Sequence, residues 1–389
     1  MEKKSISAIL KKNAMLIVLV LVYLFFLILT KGGIFKPSSF TELINQNAYV
    51  YILGTGMLMC MLTGGNIDLS CGAFVCLLGA LGGVFMIVQG MSTGVSILLL
   101  LAIGVLYGVV LGFLIAYVHI PPWIATLAGF LSFRGLGTSI LSANSKTGSL
   151  APFPVSFQNL FYGRVFPSEK GVFNWPCFIF GLLMAAIVVL VIFTTRKNRL
   201  AKGYEADSMK SAALKSGLGA AVIILVMTRL SLDGGIPTTL LWVAGIVLIY
   251  SFITSKTVVG RHFYVVGGNM EAARMSGVNT RRIMFLAYLN MAVLTVVSAW
   301  TVMARFQASN STAGTNYEMD AISACVVGGV SASGGAGTIM GMVIGATLIG
   351  VINLGMSLMN IDANYQKVVK GVVLLGAVAF DILSKKRAK

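Results

Sequence analysis

Charge is scarce in this chain. Asp, Glu, Lys and Arg make up 11% of its 389 residues, and only 12 residues are acidic. An ordinary soluble domain carries about 25% charged residues, and a disordered chain combines low hydrophobicity with high charge, so both classes are excluded. Histidine is nearly absent, with only His119 and His262, which leaves little for acid–base or metal chemistry. The five cysteines, Cys60, Cys71, Cys76, Cys177 and Cys325, lie in or beside apolar runs without a C-x-x-C pair. No disulfide framework or metal cluster is expected from that spacing. No G-K-[ST] tripeptide occurs, which argues against a Walker-type nucleotide site on this polypeptide.

Apolar sequence fills the space that charge leaves. Hydrophobic residues are 57% of the chain and glycine contributes 44 positions. The composition predicts an all-α polytopic membrane protein, because the apolar runs approach the ~20 residues that a helix needs to cross the hydrocarbon, well beyond the segments of a barrel. Twelve runs are placed near 14–30, 48–63, 72–89, 94–118, 124–142, 173–194, 217–232, 236–254, 284–304, 317–330, 337–357 and 367–384. The shortest could be interrupted or re-entrant. The first follows a basic stretch but lacks an A-x-A-like cleavage site, so it is read as a retained span.

Twelve crossings put both termini on one side. With both inside, 19 of the 29 basic residues fall in cytoplasmic segments, nine at outer ends, and Arg134 alone within a span. That bias is the positive-inside pattern, so the net charge of +17 calls for a lipid bilayer and cytoplasmic loops, not for nucleic acid. Pro37, Pro121, Pro122, Pro152, Pro154 and Pro167 are expected in loops, and Pro176 and Pro237 in first turns. Glycine recurs every fourth residue at Gly104, Gly108 and Gly112, and at Gly337, Gly341 and Gly345. Such stripes let neighbouring helices approach closely.

Three polar, glycine-rich stretches interrupt the apolar pattern. In the first, Gly64 to Gly72, Asp68 sits beside Asn66 and Ser70. An acid at membrane depth costs about 2.5–3.5 kcal/mol, so it faces protein or a water-filled path. Equally, it could cap the following helix. The second stretch, Gly328 to Gly337, resembles a phosphate cradle but lacks the lysine, and its plainer reading is a compact turn. The third lies in the basic loop 255–283, where Glu271-Ala272-Ala273-Arg274-Met275-Ser276-Gly277 forms a short helix ended by glycine, which a partner's groove could accept. Arg134 has Asp68 as its obvious opposite charge among the early spans. The alternatives are anchoring on a neighbouring carbonyl or contact with solute. Asn290, Asn353 and Asp381 are read as hydrogen-bonding between helices or as interface positions.

These stretches resemble the permease subunits of ATP-binding-cassette importers for monosaccharides, the ribose, xylose and multiple-sugar group. Gly64 to Gly72 is similar to the family's G-G-I-D-L-S-V-G element, with Asn66 inserted and Cys71 in place of valine. Gly267-Gly268-Asn269-Met270-Glu271-Ala272-Ala273-Arg274-Met275-Ser276-Gly277 is similar to its G-G-N-x-E-A-A-R-x-S-G loop. Gly328 to Gly337, with Gln366 to Gly371, resembles the third.

The resemblance implies a single transmembrane permease domain over 1–389, with about ten core spans and an extra pair at about 195–235. The length points to the xylose-like branch. Gly267, Gly268, Asn269, Glu271, Ala272, Ala273, Arg274, Ser276 and Gly277 would form the coupling segment for a separate cytoplasmic ATPase. ATP and Mg would be used on that chain, and no cofactor would be bound here. Asn66, Asp68, Ser70 and Arg134 are the candidates for the translocation path, with no catalytic residue and no metal. An extracytoplasmic sugar-binding protein and a second permease copy complete the implied assembly in a bacterial inner membrane. The readings left open are a nucleoside or autoinducer importer and an ion-coupled secondary transporter. A membrane enzyme would need acid–base groups that the chain lacks.

Overall fold

The computed structural model describes residues 14–206 and 208–386. The basic residues before 14, Arg387 and Lys389, on which part of the charge argument for the termini rests, lie outside the described residues. Each of the twelve apolar runs coincides with a helix. Among the described residues, eight helices are long and apolar enough to cross a membrane.

The first helices are α1 (Ala14–Leu29), α2 (Pro37–Leu62), α3 (Cys71–Gly83, continuing through a π turn, Val84–Val88), α4 (Thr93–Ala116) and α5 (Pro122–Asn144). Pro37 and Pro122, expected in loops, instead occupy the first turns of α2 and α5. A first-turn N–H has no intrahelical partner, so proline's missing donor is harmless there. The stretch 145–172 holds a short helix, α6 (Val155–Tyr162). A hairpin follows, α7 (Trp175–Ala201) and α8 (Met209–Leu232), then α9 (Thr238–Lys256). The hairpin starts some way before residue 195 and packs chiefly on itself. The basic loop contains α10 (Val258–Gly268) and α11 (Met270–Met275). Last come α12 (Thr280–Phe306), α13 (Tyr317–Val327), α14 (Ile339–Leu358) and α15 (Ala363–Lys386).

The core gathers around α2, α3, α12, α13 and α14, whose buried side chains are mostly small or flexible: Ala, Met, Cys and Leu. Outer helices turn apolar side chains outward instead, such as Leu98, Leu106, Leu190 and Leu248. Water would not tolerate such a surface, whereas lipid requires it. Close approach is made by the stripe on α4. A methyl group at Gly104 would overlap Val296 of α12, and one at Gly108 would sit 2.9 Å from the Ala292 methyl. The second stripe likewise packs α14 on α13 through Gly341 and Gly345, but Gly337 falls in the loop before α14, which starts at Ile339.

Two short antiparallel pairings clip the irregular segments at one end of the bundle. β1 (Ser149–Leu150) pairs with β4 (Ser309–Asn310), and β2 (Arg164–Val165) with β3 (Ile236–Pro237). The 64–72, 267–277 and 328–337 stretches gather at the other end of α2, which is about 39 Å long at 1.5 Å per residue.

Candidate functional site: a junction of three glycine-rich stretches

Residues far apart in sequence meet at the Leu62 end of α2. The Gly335 N–H donates to the Leu62 carbonyl at 3.2 Å. Gly267, in the last turn of α10, lies against that same carbonyl so closely that a Cβ would overlap it, and that Cβ would also come within 2.6 Å of the Gly335 nitrogen. Gly65 meets the Ala332 carbonyl in the same way, and a Cβ on Gly334 would lie 2.5 Å from the Gly64 Cα. The Tyr264 hydroxyl of α10 donates to the Gly337 carbonyl at 3.0 Å. Backbone therefore touches backbone across all three stretches, which only residues without side chains permit. The compact turn expected at 328–337 is present, with Ser331 N–H donating to the Ala336 carbonyl at 2.8 Å.

From this junction α11 projects. Asn269 is its N-cap, its Oδ1 accepting from the Ala272 N–H at 2.9 Å. The helix ends where Ser276 Oγ donates to the Ala272 carbonyl and Gly277 adopts a φ of +82°. Ala273 is buried beneath it, while Glu271, Ala272, Arg274, Ser276 and Gly277 are exposed and Met275 is 84% exposed. Gly268 is also exposed, with open space where a Cβ would go. This six-residue helix thus turns two opposite charges and a bare methionine outward, uncovered by the described residues.

Around the 64–72 stretch the polar residues are bound locally. Asn66 Nδ2 donates to the Thr63 carbonyl at 3.1 Å and to its hydroxyl at 3.2 Å. Asp68, 1% exposed, accepts at Oδ1 from the Ser70 N–H at 2.8 Å and from the Ser70 hydroxyl at 2.5 Å. It thus builds the turn that starts α3. The same Ser70 hydroxyl lies 2.6 Å from the Tyr107 hydroxyl of α4.

Arg134 is not paired with Asp68. Its Nη1 donates to the Ser311 carbonyl at 2.9 Å and the Ala313 carbonyl at 2.7 Å, holding the loop between β4 and α13. Carbonyl anchoring wins because two good acceptors lie within hydrogen-bond distance of the guanidinium. Asn290 accepts from Tyr250 at 3.0 Å, joining α12 to α9, whereas the Asn353 Oδ1 has no partner among the described residues.

Two residues escape sequence reasoning. Tyr107 looks like one aromatic in an apolar run. Glu318, buried on α13, sets against Gly72 an Oε2 that has no hydrogen-bond partner among the described residues, and a Cβ on Gly72 would overlap it. An acid two residues before Asp320 within an apolar run was the available signal.

Long apolar helices that turn large apolar side chains outward around a packed core define a multi-pass membrane protein. The chain belongs to the family described as branched-chain amino acid transport system / permease component, matched over residues 39–378. It is a permease of the bacterial inner membrane. It is 32% identical over 377 residues to the xylose transport system permease protein XylH of Haemophilus influenzae, covering 96% of each chain. It is 29% identical to the ribose import permease protein RbsC of Escherichia coli, covering 98% of this chain and 94% of that one. The fructose import permease protein FrcC of Rhizobium meliloti is 28% identical, with 96% of this chain and 86% of that one covered. No solved structure matches the chain.

Proposed function

We propose that the chain is the membrane-spanning subunit of an ATP-driven monosaccharide importer of the xylose-like kind. Two copies form the pathway, a separate ATPase that uses ATP and Mg drives it, and an extracytoplasmic sugar-binding protein delivers the cargo. Both termini are cytoplasmic, and the α7–α8 hairpin is the addition to a ten-span core. The observation that carries the reading is the seating of α11 on the three-way junction. A partner that grips the exposed face of α11 moves α10 with it, and Gly267 transmits that movement to the Leu62 end of α2 and to the loop before α14. ATP binding then biases the spans between inward-open and outward-open states, because the partner has different affinity for the two. Asn66, Asp68, Ser70 and Arg134 hold the loops that border the path.

Reversing both charges, Glu271→Lys with Arg274→Glu, tests the assignment through ATPase copurification and sugar-stimulated hydrolysis. Both are expected to fall. If both stay normal, α11 is not the docking element.

A further inference from the structure

The α7–α8 hairpin is closed at its base beside the β2–β3 clip, where the Asn174 N–H donates to the Ser231 carbonyl at 3.1 Å. From there α7, 27 residues long, carries the chain about 40 Å, to a tip on the same side of the membrane as α11. Near that tip a cavity of about 230 Å³ opens between the two helices. Its lining changes character along α7. Val191 and Ile192 come first, then Arg196 and Arg199, so aliphatic surface gives way to cationic surface within about 12 Å. On the other wall stand Ala212, in the first turn of α8, and Lys215. Beside the lining, Leu190 and Leu218 are exposed, on surface that acyl chains cover in a bilayer.

Charge is the second observation. Between 195 and 216 the sequence holds six bases against two acids, Glu205 and Asp207. Even when each acid engages a base, four positive charges are left over. Three of the six bases line this one cavity. Keeping a loop on the cytoplasmic side requires bases somewhere within it, but not their gathering around an aliphatic recess. A soluble anion would meet the cations and leave Val191 and Ile192 unused, and so would an acidic protein surface. An anionic phospholipid uses both, because its phosphate sits directly above its own acyl chains.

We propose that the tip of the α7–α8 hairpin is a binding site for the head group of an anionic phospholipid. Arg196 and Arg199 reach the phosphate from α7 and Lys215 from α8, so that the lipid bridges the two helices, and the first acyl carbons pack on Val191 and Ile192. Guanidinium groups suit a phosphate because their N–H groups can meet two of its oxygens at once. The cavity is smaller than the ~300–1,000 Å³ of sites that enclose a whole ligand, as befits one that takes a head group and leaves the tails in the bilayer. Placing it in the cytoplasmic leaflet rests on the orientation in the reading above. Recognition of the phosphate does not.

The test titrates the purified full chain, in neutral detergent, with dioleoylphosphatidylglycerol, with its zwitterionic counterpart dioleoylphosphatidylcholine, or with inorganic phosphate. Binding is read by native mass spectrometry and by melting temperature. The anionic lipid is expected to bind about tenfold more tightly than the zwitterionic one and to raise the melting temperature further. Arg196→Gln with Arg199→Gln should abolish that preference. Lys197→Gln with Lys202→Gln removes the same charge from exposed positions outside the cavity and should keep the affinity within about twofold of the parent. If the arginine variant does not fold, Lys215→Gln must weaken binding about fivefold, the weight of one base near a membrane surface. Equal affinity for the two lipids overturns the site, as does a preference that survives loss of the arginines. Equal losses in the two double variants reduce the effect to diffuse charge and also overturn it. Inorganic phosphate that stabilises as well as the anionic lipid would make the cavity a site for a free anion instead. None of these readouts involves uptake, so failure here leaves the importer reading standing.

Discussion

Gly267 rests on the Leu62 carbonyl with no room for a methyl group between them. One belongs to the segment that carries α11, the other to the core helix α2, so under the proposed function this contact is where a pull on α11 would enter the bundle. The next glycine, Gly268, faces open space. The pair makes an internal control. Gly267→Ala is predicted to cost about 1–3 kcal/mol through overpacking and to cut uptake about tenfold. Gly268→Ala should leave thermal stability and uptake near the parent values. Equal behaviour of the two variants in transport and melting assays would contradict the junction's role.

Asp68 can be separated into shape and charge. In Asp68→Asn the side-chain oxygen can still accept from Ser70, so expression and melting temperature should hold and uptake should stay within about threefold of the parent. Asp68→Ala loses the turn, and a drop of about 1–2 kcal/mol with impaired uptake is expected. Loss of uptake in the Asn variant with normal stability would mean that the charge itself is needed along the path.

Arg134 should resist even its nearest substitute. One nitrogen serves two carbonyls from a planar head that lysine does not reproduce. Arg134→Lys is expected to lower stability by about 1–3 kcal/mol, read from detergent melting curves.

The apolar runs are legible in the sequence because lipid sets one length for every span, and all twelve coincide with helices. Their ends are less so. Pro37 and Pro122 look like loop residues until their first-turn positions are seen, and Gly337 continues a stripe by spacing alone while its backbone has already left the helix. The three glycine-rich stretches can be picked out singly, and resemblance groups them, but their meeting depends on a register between α2, α10 and the 328–337 turn that no local pattern encodes. The same applies to Arg134. Asp68 is its obvious mate by charge, yet the carbonyls of Ser311 and Ala313 come from nearly 180 residues away. Glu318 was hidden because an acid near a span end looks like an ordinary interfacial residue.

Asp320 and Lys370 form a further pair, 2.9 Å apart, with Tyr49 donating to the same carboxylate at 2.5 Å. Asp320 is buried and ties α15 to α13 and α2. Lys370→Met alone leaves that carboxylate without its cation and should destabilise by about 3 kcal/mol. Adding Asp320→Asn should recover part of the loss, and a double-mutant cycle on melting free energies measures the coupling. Purely additive effects would show that the pair contributes little.

The claim on which all this converges is that the permease supplies a path and a handle but no driving force. Its direct test is sugar accumulation in liposomes holding the purified chain, alone and then with the ATPase and the binding protein, with ATP on the side of the α11 surface. The account predicts no accumulation from the chain alone and uphill uptake from the complete set. Concentration of sugar against its gradient by the chain alone would contradict it.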